Sequence, residues 1–306
     1  MDNVRLAFDG IVENSFYRRV DKTHNLDLYF GKNENGNISF QFRHNSKEII
    51  KIKGTKLISI KQAILSDYIV LEFSLCNNRY KNLFYTFVED LITSSYVIEL
   101  EQAYVFLLNR YDSWKKMFST TNEKVLTENQ VIGLIGELLV LDRLMDKKGF
   151  EKAIKSWTGS ALTHKDFSFD DTWIEVKSIQ YSNNTVKIAS IEQLESSNIG
   201  HLMILKFEKM SSEYHGYKLN LLFKEILKKI PVNNIREVFL EQMSIRGYIE
   251  LEEYDLFSYQ LKWDKMYLID EKFPRISRAT LSSAIIDVSY SLDLSFIELY
   301  EEELFI

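Results

Sequence analysis

Apolar positions change period along the chain, and the changes outline its elements. Residues 1–78 read as β-rich. NLDLYF and ISFQFRH are short aromatic and β-branched runs around KNENGN, whose Asn-Gly is a hairpin signal. EIIKIKGTKLISI and YIVLEFSL continue that β-rich pattern. From about Tyr80 apolar residues recur at helical spacing. YKNLFYTFVEDLITSS and VIELEQAYVFLLNRYDSWKKMF predict two amphipathic helices. The polar STTNEK marks the end of an N-terminal lobe, 1–120.

Residues 127–148 predict the strongest helix. Thr127 followed by Gln130 matches a capping box, and Gly149 is a C-terminal stop. VIGLIGELLVLDRLM is apolar nearly all round, so this helix is expected to be buried. AIKSW, HKDFSF and WIEVKSIQY read as strands, SIEQLESSN as a helix and HLMILKF as a further strand. The order helix, three strands, helix, strand makes a compact α/β unit within 121–212. Beyond it, 213–306 predicts a third lobe. YKLNLLFKEILKKI and NIREVFLEQMSIRG are its amphipathic helices, and LFSYQLKW, KMYLID and IIDVSYSLDL its β-rich tail. The last residues, IELYEEELFI, carry four acids and no base and end in apolar side chains that need a docking place, on this chain or a partner.

Composition narrows the class. The 306 residues are 45% hydrophobic, 27% charged and 13% aromatic, enough for a true core and unlike a disordered, collagenous or disulfide-stapled chain. One cysteine, Cys76, permits neither an internal disulfide nor a cysteine zinc site, which fits a reducing cytoplasm. The first residues lack an apolar signal core, and no apolar run approaches the ~20 residues that cross a membrane. VIGLIGELLVL is broken by Glu137. A net charge of −6 argues against a passive nucleic-acid coat protein but not against an enzyme acting on nucleic acid. Residues 43–56 hold five Lys/Arg against one acid, and 202–229 six against three. Either stretch is a solvated face or a local basic stripe.

The candidate chemistry lies between residues 137 and 193. In a strand, Glu175 and Lys177 point the same way, with Ile174, Val176 and Ser178 opposite. Asp166 stands nine residues before Glu175, and a hairpin turning at Asp170-Asp171 brings the two carboxylates together. Like charges that close raise each other's pKa unless a cation intervenes. Such oxygen-rich pairs suit Mg²⁺, which keeps waters and substrate oxygens in its other positions. Glu137 lies in the middle of the buried helix, where an unpaired charge is costly, and Gly133 and Gly136 flank it. The bland alternative is a tight helix–sheet contact with a buried Glu–Lys pair.

The pattern Glu137…Asp166…Glu175-x-Lys177 resembles the PD-(D/E)XK superfamily of restriction-endonuclease-like nucleases. GLIGELLVLDRL, Trp157-x-Gly159, HKDFSF, WIEVKSI and FPRIS at 273–277 are similar, over essentially the whole chain, to the bacterial family labelled "PD-(D/E)XK motif protein". That family is usually encoded beside ATPases and methylases in defence gene clusters. The resemblance implies an αβββαβ core within an α/β (α+β) fold and Mg²⁺-dependent nuclease chemistry, with Mn²⁺ able to substitute. One departure is visible: the superfamily's proline is replaced by Lys165.

On that resemblance Asp166 and Glu175 are metal ligands and Val176 adds its backbone carbonyl. Glu137 completes the shell directly or through a water. Lys177 orients the attacking water and stabilises developing charge. Gln193 hydrogen-bonds the phosphate or the lysine. Asp170 and Asp171 are rivals to Asp166, better suited to the turn. His164 is a second partner of the site or a surface residue, and Ser178 is structural. Arg275 and Arg278 contact phosphates or form surface salt bridges. Double-stranded DNA is the expected substrate, a homodimer the expected assembly, and an ATPase or a DNA methylase an expected operon partner.

Other chemistries find no support. The five histidines show no zinc spacing, and no P-loop, G-x-S-x-G or Cys–His arrangement occurs. Trp114, Trp157, Trp173 and Trp263 read as core residues. The leading reading is a metal-dependent DNA endonuclease of a restriction or anti-phage defence system. The alternative is a DNA-binding or scaffold subunit of a multi-gene complex with weak or dormant activity. A glycosidase-like carboxylate pair fits less well beside Lys177.

Overall fold

A computed structural model describes residues 2–45, 49–65, 68–119, 125–158, 164–232 and 234–304. Gly159 and most of the STTNEK break lie outside the described residues, as do Lys47 and Glu48 of the first basic stretch. The chain divides into two compact units, Met1–Lys124 with Met243–Glu252, and Val125–Gln242 with Glu253–Ile306.

The first unit opens on a helix, α1 (Asp2–Asp9), where the sequence reading placed only strands. Its Val4 and Phe8 are buried, a helical one-turn spacing too short to stand out in a β-rich neighbourhood. Strands β1 (Tyr17–Arg19), β2 (Asp27–Lys32), β3 (Ile38–His44), β4 (Ile58–Leu65) and β5 (Tyr68–Leu75) pair antiparallel in the order β1-β2-β3-β5-β4. The β2–β3 turn follows the Asn-Gly signal. Gly36 takes a φ of +77°, and the Asn33 carboxamide accepts the N–H groups of Asn35 and Asn37 at 3.0 Å. Helices α2 (Lys81–Ser94) and α3 (Leu100–Ser119) match the amphipathic stretches. Phe73 packs on Phe87 and Tyr111 at the centre of the core. Asp90 is buried there and accepts from Arg110 Nε at 2.6 Å and Trp114 Nε1 at 2.7 Å, which compensates its charge.

The second unit begins with α4 (Glu128–Lys148). Its expected capping box is present: the Gln130 side chain accepts the Thr127 N–H at 2.9 Å and the Thr127 hydroxyl accepts the Gln130 N–H at 3.4 Å. Gly149, at φ +81°, ends α4 and starts α5 (Phe150–Ser156). AIKSW is therefore mostly helix, not strand; Glu151 and Lys155 pair one turn apart at 2.6 Å on its exposed face. Next come β6 (Phe167–Ser168), β7 (Trp173–Gln180) and β8 (Thr185–Ile188), then β9 (Gly200–Ser211). The third strand of the expected trio is thus β8. Its partner, β11 (Tyr290–Asp293), is about a hundred residues away, so no local hairpin signal marked it. Helices α6 (Leu219–Lys229) and α7 (Asn234–Ile245) follow. LFSYQLKW and KMYLID are one strand, β10 (Phe257–Ile269), with an irregularity between Leu261 and Trp263 that breaks the sequence alternation.

The main sheet runs β12-β10-β9-β7-β6, with β12 (Glu301–Glu302) at one edge. Only β7 and β9 are parallel; the other pairs are antiparallel. Helix α4 covers one face. A Cβ on Gly136 would stand 2.0 Å from Ser178 Oγ, so a bare Cα is what lets helix and β7 touch. On the other face Trp173, Leu202, Ile204 and Tyr267 pack with Val186, Ile188 and Leu292 of the β8–β11 pair. The α+β class expected from the sequence holds.

SIEQLESSN is not an α-helix but a single 3-10 turn, Ile191–Gln193. Its carbonyls are claimed from outside: Lys165 Nζ donates to Glu192 O at 2.6 Å and Glu195 O at 3.1 Å, and Arg275 Nη1 to Leu194 O at 2.6 Å. The serines and asparagine after it favour turns over helix interiors.

Gly200, which starts β9, lies under the Trp173 ring, where an added Cβ would meet Cε2 at 1.9 Å. Gly200→Ala is expected to destabilise the protein by about 1–3 kcal/mol through overpacking, read as a lower urea midpoint; an unchanged midpoint contradicts this account of the Trp173 contact.

Candidate active site

The β6–β7 hairpin builds the centre. Phe167 pairs with Ile174 and Ser168 with Trp173, and the Phe169 N–H closes the turn on Thr172 O at 2.8 Å. That register, carried one residue further, sets Asp166 opposite Glu175. Residues directly opposite in an antiparallel pair share a face. Beyond Phe167 the Asp166 carboxylate takes over the pairing: its Oδ2 accepts the Val176 N–H at 2.7 Å. Asp170 and Asp171 are exposed at the tip of the hairpin, as a turn requires.

Glu175 is buried, and its Oε1 accepts from Lys177 Nζ at 2.8 Å. Its Oε2 is also buried and has no hydrogen-bond partner among the described residues. From α4, Glu137 reaches the same place. Its Oε2 accepts the indole N–H of buried Trp157 at 2.8 Å. Removal from water, then the neighbouring charges of Glu175 and Glu137, pushes Asp166 well above the usual carboxylate range, against the pull of Lys177 and the Val176 N–H. Burial also raises Glu175, with Lys177 opposing most strongly. Asp166 and Glu175 are therefore crowded beside Lys177, and the charge of Glu137 bears on both acids, leaving negative charge in excess.

A family model described as "Putative PD-(D/E)XK family member, (DUF4420)" matches residues 5–295. The chain belongs to this family. No curated protein and no solved structure matches the chain. Membership of the PD-(D/E)XK superfamily points to nuclease chemistry, and nucleases of that kind typically use divalent metal ions.

The residues present fit such an ion. A buried carboxylate oxygen lacks a donor, and the two acids repel one another unless a cation lies between them. Among the described residues no three His, Cys, Asp or Glu side chains stand close enough to form a ready metal cage. Two carboxylates with water in the remaining positions is the donor set of Mg²⁺ rather than of a structural zinc.

Of the residues singled out in the sequence, Asp166, Glu175, Val176 and Lys177 gather at one end of the β6–β7 pair, and Glu137 lies near enough for its charge to bear on both acids. Gln193 does not join them through a hydrogen bond: its side-chain oxygen accepts the Ala189 N–H at 2.7 Å and caps its own turn. His164 is exposed, at φ +56° outside β6, so it does not share the strand face with Asp166. Arg278 Nη2 pairs with Glu192 Oε1 at 3.1 Å and its backbone N–H donates to Glu195 Oε1 at 2.7 Å. Both arginines of FPRISR are thereby bound to the 191–195 turn. Of the two flanking glycines, Gly136 serves the Ser178 contact, while a Cβ on Gly133 would meet open space.

Two contributors escaped the sequence reading. Trp157 is a core residue, as its sequence setting implies, and its indole N–H also fixes Glu137; no pattern in the sequence marks that bond. Lys165, in the place of the superfamily's proline, also supports the site. It is buried, with its ammonium 3.7 Å from the centre of the Trp173 ring and bonded to the 191–195 turn. Burial draws its pKa down to about 8, with Glu175 the strongest opposing influence.

The raised acids give a pH signature. A carboxyl whose folded pKa lies above its unfolded value binds more protons in the native state, so stability falls as pH rises through that interval. Asp166→Asn keeps an acceptor for the Val176 N–H and removes the charge. In metal-free protein it is expected to raise the melting temperature at pH 7, with the gain shrinking toward the ordinary carboxylate range near pH 4. A pH-independent gain, or a loss at pH 7, contradicts the crowding of these acids.

Proposed function

We propose that the protein is a Mg²⁺-dependent DNA endonuclease that hydrolyses phosphodiester bonds, with Mn²⁺ able to substitute. The observation that carries this reading is the Asp166 carboxylate bonded to the Val176 N–H at 2.7 Å and crowded by Glu175, with Lys177 paired to Glu175 at 2.8 Å. Asp166 and Glu175 would hold the ion, with the Val176 carbonyl and Glu137 completing its surroundings. When bound, a divalent ion supplies charge neutralisation at the phosphate and a lowered pKa for the attacking water.

The chain's own residues do the rest. Glu175 fixes the Lys177 ammonium beside the acids through a short charge-assisted bond. From there Lys177 can donate to a water held for attack and to the phosphoryl oxygens as charge builds on them. The Val176 N–H aims the Asp166 carboxylate, and Trp157 aims Glu137, so neither acid has to be oriented at the moment of reaction. No polar group that would read a sugar ring is needed for this set to work, and the amine beside the acids favours a phosphate.

A bacterial restriction or anti-phage defence setting in the cytoplasm, a homodimer that cuts both strands, and an ATPase or methylase partner accompany this reading. They rest on the family resemblance. Among the described residues no helix is long and apolar enough to cross a membrane.

The test is plasmid cleavage by the purified full chain. Wild-type protein is expected to nick or linearise plasmid DNA with Mg²⁺ or Mn²⁺ and not with EDTA. Lys177→Ala and Asp166→Ala should each lower the rate at least about a hundredfold while the circular dichroism spectrum is kept. Cleavage that persists in both variants, or in EDTA, overturns the assignment.

A further inference from the structure

The sheet face that carries Glu175 and Lys177 also carries a second lysine. Strands β7 and β9 run parallel, with Lys177 paired to Ile204 and Ile179 to Lys206. Side chains two apart on a strand share a face, so Lys206 stands with Ile204 on the side of Trp173, Glu175 and Lys177. One strand spacing and two residues of rise put the Cα atoms of Lys177 and Lys206 roughly 8 Å apart.

Lys206 differs from the lysines around it. Lys209 pairs with Glu128 at 2.8 Å, Lys262 with Glu208 at 3.1 Å and Lys265 with Glu301 at 2.6 Å, and all of these are partly open to water. Lys206 is only 5% exposed and has no carboxylate partner among the described residues. Its ammonium donates to the neutral Asn184 Oδ1 at 2.9 Å and lies 5.1 Å from the centre of the Trp263 ring. A buried cation with a neutral partner is costly, and burial draws its pKa below the ordinary lysine value. Asn184 is exposed, in the turn between β7 and β8, so the charge lies directly beneath a surface amide.

We infer that Lys206 is an anion subsite on the same sheet face, taking a phosphodiester group of the nucleic-acid strand next to the one held at Lys177. This rests on the nuclease reading above. A swing of the Asn184 side chain uncovers the ammonium, and the phosphate supplies the missing counter-charge. A lysine recognises phosphate as a point charge, so the contact sets the register of the strand and reads no base.

The inference is tested by fluorescence anisotropy of a labelled DNA duplex on the full chain, with Ca²⁺ in place of Mg²⁺, over a range of salt. Lys206→Met is expected to weaken binding about tenfold and to lower the slope of log affinity against log salt by about one. Lys206→Arg should stay near wild type. The Met variant should melt no lower than wild type, since it removes an uncompensated buried charge. A Met variant with wild-type affinity and slope overturns this inference and leaves the nuclease reading standing. An Arg variant as weak as the Met variant also overturns it, because packing and not charge is then the cause. If inorganic phosphate stabilises wild type but not the Met variant while duplex binding is unchanged, the site takes a free anion and the nucleic-acid assignment fails. A duplex bound by no form of the protein overturns both readings together.

Discussion

Two carboxylates crowded together where the β6–β7 ladder ends, partly out of water, are the constraint around which the second unit is built. Asp166 and Glu175 cannot both carry full charge there without cost, and Glu137 adds to the excess. Lys177, and more weakly Lys165, offset part of it. What is left is a preference for protons or for a divalent cation. Folding alone would gain from replacing such a group by apolar side chains, so its retention is best understood as chemistry.

The surroundings hold this arrangement in place. Gly136 lets α4 lie against Ser178 of β7, which brings Glu137 to the acids. Gly200 makes room for Trp173, and the Lys165 ammonium sits on that ring and ties β6 to the 191–195 turn. Where the superfamily name expects a rigid proline before the first acid, this chain uses a buried cation with two kinds of contact. Backbone rigidity is replaced by hydrogen bonding and a cation–π contact, so the strand carrying Asp166 remains fixed.

The acids and amine were legible in the sequence because each rests on local regularity. Period-2 alternation placed Glu175 and Lys177 together, the Asp170-Asp171 turn returned Asp166 to them, and the cost of Glu137 in an apolar helix marked it. Hidden features depend on distant partners. β8 pairs with β11, which lies far along the chain, and the 191–195 segment loses its helix to Lys165 and Arg275, neither adjacent to it in sequence. AIKSW reads equally as strand or helix because so short a stretch, apolar at Ala153, Ile154 and Trp157, carries no decisive period. Gln193 was placed on a helix that does not form, so its side chain closes a turn instead.

The most direct test is calorimetric titration of the metal-free full chain with Mn²⁺ in buffers of different ionisation enthalpy. One ion is expected to bind with release of protons from the crowded acids, and Glu175→Gln should abolish binding while the fold is retained. Absence of Mn²⁺ binding by the wild-type chain, or equal binding without proton release by the variant, would contradict the claim that Asp166 and Glu175 are assembled to hold a divalent cation.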